Sequence, residues 1–268
     1  MSAATECAPA TAVLELDRAT RRFGGITAVN DVSIALPKGM ITGLIGPNGA
    51  GKTTVFNMIT GFYAPSSGNV RFCGRAITGM APHRICKLGI ARTFQNIRLF
   101  SGLSTLENVM VGGHLRQKSA WWMPPLQLPL VRREEKALRE TAMHLLQSLG
   151  LEKAAHQPAG SLPYGAQRRL EIARALATSP SLLLLDEPAA GMNPQESAAL
   201  MDLIRMIRDR YDLTILLIEH DMKVVMGVCA HIWVLEYGSC IAEGDPDAIQ
   251  GNPRVIEAYL GQEYTRHA

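Results

Sequence analysis

The run Gly46-Pro47-Asn48-Gly49-Ala50-Gly51-Lys52-Thr53-Thr54 has the residue types that a polyphosphate chain requires. Glycines let successive backbone N–H groups turn inward on anionic oxygens. Lys52 supplies a cation for β- and γ-phosphates, and the Thr53 hydroxyl supplies a ligand for Mg²⁺. The pattern is G-x-x-x-x-G-K-[ST], and its flanks fit. Ile41 to Ile45 reads as a short buried strand, and Val55 to Ile59 reads as the apolar face of a helix opening near Gly51. The partial positive charge of that helix N-terminus adds to anion binding. The competing reading is a glycine-rich turn before a helix with no ligand. On the phosphate reading, the binding residues are Gly46, Asn48, Gly49, Gly51, Lys52, Thr53 and Thr54.

A second group is Leu182-Leu183-Leu184-Leu185-Asp186-Glu187. Acid pairs are common on surfaces. After four leucines, a buried strand delivers the two acids to its carboxyl end, where ligands sit in open α/β sheets. Asp186 could hold Mg²⁺, and Glu187 could polarise an attacking water. A third candidate, Phe23, precedes the glycine pair Gly24-Gly25 upstream of the phosphate loop. It could stack on adenine or fill the core at a turn.

These residues need a scaffold. Val13 to Asp17 and Val32 to Leu36 alternate apolar and polar, as half-buried antiparallel strands do. Val70 to Phe72 follows the turn Pro65-Ser66-Ser67-Gly68, and Gly89 to Phe94 reads as a strand ending in Gln95. Helices are predicted from Leu106, over Glu134 to Leu149 with Gly150 as a stop, and from the Ser161–Arg169 stretch onward. Ser181 to Leu185 and Leu213 to Ile218 are continuous apolar runs, the pattern of parallel strands covered on both faces, separated by an amphipathic helix over Gln195 to Tyr211. Ile232 to Leu235 with Gly238 suggests a hairpin, and two short helices around Asp247 and Ile256 close the chain. Between Gln117 and Leu130, Trp121, Trp122, Pro124, Pro125 and Pro129 crowd together. The prolines argue against a continuous helix. The stretch reads as a loop packing its tryptophans, or as a contact with a partner or a membrane interface.

The chain has 268 residues, 47% hydrophobic and 19% charged, so it can fill the core of one large α/β domain or of a domain with a smaller lobe. A net charge of +3 gives no ground for a nucleic-acid partner. Five cysteines without C-x-x-C indicate neither a disulfide framework nor a zinc site, but small buried hydrophobes in a reducing cytosol. Neither a secretory signal nor an apolar run of membrane-spanning length is evident. Residues 1–11 read as a disordered tail.

In their order, the motifs resemble the ATP-binding subunits of ABC transporters over about Leu14 to Gly261. Gln95 matches the Q-loop. Leu162-Pro163-Tyr164-Gly165-Ala166-Gln167 stands where the signature L-S-G-G-Q-Q is expected. Asn193 takes the D-loop position and His220 that of the switch histidine, although a lone histidine is more often structural. A narrower resemblance, to the ATPases of branched-chain amino-acid importers, is carried by Ala91-Arg92-Thr93-Phe94-Gln95-Asn96, by Asp186 to Pro194, by Ile218 to Met222, and by the ending Ala258-Tyr259-Leu260-Gly261.

The resemblance implies a P-loop NTPase with a mostly parallel central sheet, an N-terminal antiparallel β-lobe and a helical signature lobe inserted at about 97–162. The ATPase domain would run over 12–268, with C-terminal helices at about 245–261. It implies ATP and Mg²⁺ as cofactors. Thr53, Gln95 and Asp186 would serve the metal, Glu187 would act as general base, and His220 and Gln95 would act at the γ-phosphate. Phe23, Tyr164, Gly165, Ala166 and Asn193 would complete the nucleotide contacts. Pro163 and Ala166 depart from the family's signature and leave its contact to backbone N–H groups and the helix N-terminus. The implied partners are two membrane-spanning permeases, a second ATPase subunit and, indirectly, a periplasmic or extracellular substrate-binding protein. The implied place is the cytoplasmic face of the cell membrane. Related ATPases serve urea or short-amide import or lipopolysaccharide export. A soluble, non-transport ABC ATPase is the reading from another class.

Overall fold

The computed structural model describes residues 12–116 and 129–265. The tail 1–11 and residues 117–128, with Trp121 and Trp122, lie outside them. The chain forms two compact units, one from residues up to Arg92 and from Ser181 onward, the other over Thr93–Pro180.

The first unit begins with β1 (Leu14–Phe23), β2 (Ile26–Leu36), β3 (Ile41–Ile45), α1 (Lys52–Ile59), β4 (Ser67–Phe72), β5 (Arg75–Ala76), α2 (Pro82–Leu88) and β6 (Ile90–Arg92). The second carries α3 (Thr105–Gly113), α4 (Pro129–Ser148) and α5 (Tyr164–Leu176). The chain then returns to the first with β7 (Leu182–Asp186), α6 (Pro194–Tyr211), β8 (Thr214–Ile218), α7 (Met222–Val228), β9 (His231–Glu236), β10 (Ser239–Gly244), α8 (Pro246–Gln250) and α9 (Pro253–Thr265).

Two sheets share one core. A four-stranded antiparallel sheet has the order β2-β1-β4-β5, and a six-stranded sheet has the order β10-β9-β3-β8-β7-β6. All neighbours in the second are parallel except the β9–β10 hairpin. Every residue of β3, β7 and β8 is buried, which explains their unbroken apolar sequence. Leu14 and Phe72 of one sheet, Leu44, Leu184 and Leu216 of the other, and Phe56 and Ile59 of α1 belong to the same buried cluster. Register places the chemistry. Ile218 stands opposite both Leu44 and Asp186, so the residues that follow β3, β7 and β8 emerge level at one edge.

Several elements differ from the sequence reading. β6 is only Ile90–Arg92, because the chain enters the second unit at Thr93. α4 begins at Pro129, inside the stretch read as loop, since proline is compatible with the first turn of a helix. α2 and α7, seven residues each, were not anticipated, and α9 is longer than expected at 13 residues. The second unit reaches beyond 97–162 because α5 packs on α3: a Cβ at Gly112 would stand 2.3 Å from the Arg174 carbonyl oxygen. The cysteines are not uniformly buried. Cys229 is buried, Cys73 and Cys86 partly so, and Cys240 is exposed.

Candidate active site

The loop from β3 to α1 is shaped by two glycines whose Cβ positions are blocked by neighbouring backbone. Gly46 has φ 145, and a Cβ there would stand 2.0 Å from the Leu235 carbonyl oxygen. Gly51 caps α1 at φ 102, with a Cβ position 2.5 Å from the Ala28 carbonyl oxygen. Lys52 is buried and donates from Nζ to the carbonyls of Gly46 (2.6 Å) and Pro47 (2.9 Å), which folds the loop around its ammonium. Burial lowers the Lys52 pKa, opposed by the negative charges of Glu187 and Asp186. Asn48, Gly49 and Thr53 are exposed, and Thr54 partly so.

Asp186, the last residue of β7, is 5% exposed and pairs with Arg92 at 2.7 Å. Glu187 follows in a left-handed conformation at φ 46, its N–H bonded to the Ile218 carbonyl at 2.9 Å. Such a backbone is costly for a non-glycine residue, and it turns the second acid out of the strand direction. Glu187 Oε2 is 3.7 Å from Nδ1 of the exposed His220. Lys52, Asp186, Glu187 and His220 are thus brought to one edge of one sheet.

Two residues there were missed by the sequence reading. Arg92 joins β6 to Asp186 and, at 2.7 Å, to Asn57 Oδ1 on α1. Glu219 is fully buried. It accepts the Ala189 N–H at 2.7 Å and the His220 N–H at 3.1 Å, and so ties the segments after β7 and β8 together. Burial raises the Glu219 pKa, and these N–H groups oppose the rise. Glu219 carries the same signal as Asp186, an acid directly after an apolar strand.

Phe23 is not a core residue. It is 37% exposed, meets Tyr63 edge-on at 5.1 Å, and lies under the Arg21 guanidinium at 4.6 Å. It ends β1 opposite Ile26, at the tip of the hairpin that abuts Gly51 through Ala28. Asn193 caps α6, its Oδ1 accepting from Gln195 and Glu196 while Glu196 returns a bond to the Asn193 N–H. The sequence N-P-Q-E is a legible capping box with proline at the first helical position.

The remaining candidate residues belong to the second unit. Pro163 is the N-cap of α5 and offers no side-chain cap, and the Ala166 N–H bonds locally to the Pro163 carbonyl at 2.9 Å. Tyr164 is 42% exposed, and its hydroxyl accepts from Arg168 at 3.1 Å. Arg168 and Glu171, both buried, pair at 3.2 Å. Arg168 donates to the carbonyls of Phe94 (2.7 Å) and Gln95, while Glu171 accepts the Phe94 N–H at 3.3 Å. Burial raises the Glu171 pKa against these bonds. Gln95 itself is exposed, and Gly165 and Ala166 lie in the first turn of α5.

Among the described residues, no cluster of three or more His, Cys, Asp or Glu could by itself hold a metal. Oxygen ligands from Thr53 and Asp186 suit Mg²⁺, which takes one or two carboxylates and leaves the rest to phosphate and water. No helix among the described residues is long and apolar enough to cross a membrane.

Residues 29–190 match the family model described as ABC transporter, and residues 239–265 match one described as branched-chain amino acid ATP-binding cassette transporter. The chain is 46% identical over 250 residues to the high-affinity branched-chain amino acid transport ATP-binding protein BraF of Pseudomonas aeruginosa, covering 93% of this chain and 98% of that one. It is 47% identical over 241 residues to the high-affinity branched-chain amino acid transport ATP-binding protein LivG of Salmonella typhimurium, covering 90% of this chain and 94% of that one. Among solved structures it is similar to an ATP-binding cassette of an ABC transporter in its ADP conformation, with TM-score 0.82 and 32% identity over 94% of this chain and 99% of that one.

Proposed function

The chain belongs to the ABC transporter family of ATP-binding subunits, and from that premise we propose that it hydrolyses ATP to drive import of branched-chain amino acids. The single observation that carries the reading is the grouping of Lys52, Asp186, Glu187 and His220 where parallel strands end. The cargo is favoured by the transport described for the relatives BraF and LivG and by the match over 239–265.

In this reading the loop N–H groups and Lys52 bind the phosphates, and Phe23 stacks on adenine. Thr53 and Asp186 would hold Mg²⁺, which supplies charge neutralisation at the β- and γ-phosphates. Glu187 accepts the proton of the attacking water, and His220, 3.7 Å from it, acts at the γ-phosphate. For Gln95, Tyr164, Gly165, Ala166 and Asn193 the assignment rests on the family's order of motifs. The cassette works with a second cassette and two permeases at the cytoplasmic face of the membrane, fed by a substrate-binding protein. One ATPase domain over 12–268 does this, with the helical lobe as an insertion.

Glu187→Gln tests the chemistry. It keeps the shape of the side chain and removes the base. Assayed with the permeases present, turnover falls on the order of 10²-fold or more while nucleotide still binds. Near-wild-type turnover would remove Glu187 from this role. Uptake of labelled leucine by cells lacking the chain tests the cargo: uptake unchanged by the deletion would exclude it.

A further inference from the structure

The phosphate loop is held from behind by the C-terminal part of the first unit. Gly46 lies directly against the Leu235 carbonyl of β9. The turn Tyr237-Gly238 between β9 and β10 donates the Gly238 N–H to the Ala50 carbonyl at 3.0 Å and accepts the Asn30 N–H at 2.7 Å. α8 packs on β9 and β10, and α9 packs on α8 and β10. From α9, Tyr259 sends its hydroxyl beside the Gly46 N–H. That oxygen is buried, and among the described residues no hydrogen bond of ordinary geometry closes on it. Burial pushes the phenol up to about 12, with the Gly46 N–H drawing it the other way.

The proposed chemistry makes no use of Tyr259. A buried hydroxyl without a partner is unfavourable, and its persistence calls for a state in which the bond is made. The donor beside it is the N–H of the first glycine of the phosphate loop, Gly46, which is backed on its other side by the Leu235 carbonyl. We propose that Tyr259 is a positioning residue for the phosphate loop: its hydroxyl accepts the Gly46 N–H when the loop closes on the phosphates of a nucleoside di- or triphosphate. The C-terminal segment thereby sets nucleotide affinity, and by linkage a bound nucleotide tightens α9. This rests on the nucleotide-binding reading of the loop.

The test is Tyr259→Phe in the full chain, which keeps the ring and removes the hydroxyl. Calorimetry with ADP should give a Kd about five- to tenfold above wild type, the range of one hydrogen bond. The unfolding midpoint without nucleotide should match wild type, so that only the ADP-dependent rise shrinks. Hydrogen exchange of peptides spanning α9 should slow with ADP in the wild type and much less in the variant. An unchanged Kd overturns the proposal. A lowered nucleotide-free midpoint with an undiminished ADP-dependent rise also overturns it and makes Tyr259 a packing residue. A wild-type chain that binds no ADP would overturn the nucleotide reading itself, which separates the two failures.

Discussion

Arg92 Nη2 and Asp186 Oδ2 stand 2.7 Å apart, and neither side chain is more than 7% exposed. The carboxylate proposed to hold the metal is therefore already neutralised by a buried cation, and the same cation is braced on α1 through Asn57. Removing one member of such a pair leaves the other charge buried alone. Arg92→Met should lose about 3–5 kcal/mol of stability in urea unfolding. Arg92→Lys keeps the charge without the planar fork and should fall between. A loss below about 1 kcal/mol for Arg92→Met would mean that the pair behaves as a solvated surface bridge.

Phe23→Ala separates a ligand contact from a packing role. The ring is already partly exposed, so stability should change by much less than the about 3–5 kcal/mol of a core phenylalanine. ATP affinity should weaken by about 1–2 kcal/mol in calorimetry, the scale of an aromatic contact. Unchanged affinity would remove Phe23 from the adenine site.

Glu219 gives a pH signature. Its folded pKa is raised by burial above the usual 4.5. Below that value both states are protonated. As pH climbs from there, the unfolded chain ionises first, and the native state loses relative stability until Glu219 itself ionises. Glu219→Gln lacks this loss, so the stability gap between wild type and variant should shift in the variant's favour as pH rises above about 4.5. Urea midpoints across pH that move in parallel would contradict the assignment.

The glycines of the loop should not be equivalent. Among the described residues nothing lies within 4 Å of a Cβ at Gly49, whereas at Gly46 the Leu235 carbonyl would stand 2.0 Å away. Gly49→Ala should cost only its positive φ, about 1–2 kcal/mol. Gly46→Ala must displace β9 or the loop and should cost more in a thermal or urea melt. Equal costs would mean that the loop relaxes freely.

The legible parts of the chain were those where one local signal coincides with one role. β3, β7 and β8 are apolar runs that deliver Gly46, Asp186 and Glu219 to one edge, and the runs are visible without the fold. α2 and α7 escaped because seven residues hold too few turns to show a period. Arg92 and Tyr259 escaped for another reason: their partners are set by strand register and by the return of the C-terminus, which no local window contains. Phe23 was left between two readings because exposure depends on what the hairpin tip packs against.

In the second unit, Arg168 is bonded at once to the main chain of Phe94 and Gln95, to Glu171, and to the Tyr164 hydroxyl that opens α5. The bond to Glu171 is buried and the others are partly so, which limits the access of competing water. A push on Gln95 along the backbone therefore has no slack to absorb it before the first turn of α5. In mechanical terms the linkage behaves as a stiff strut, and a displacement at one end arrives at the other as a displacement.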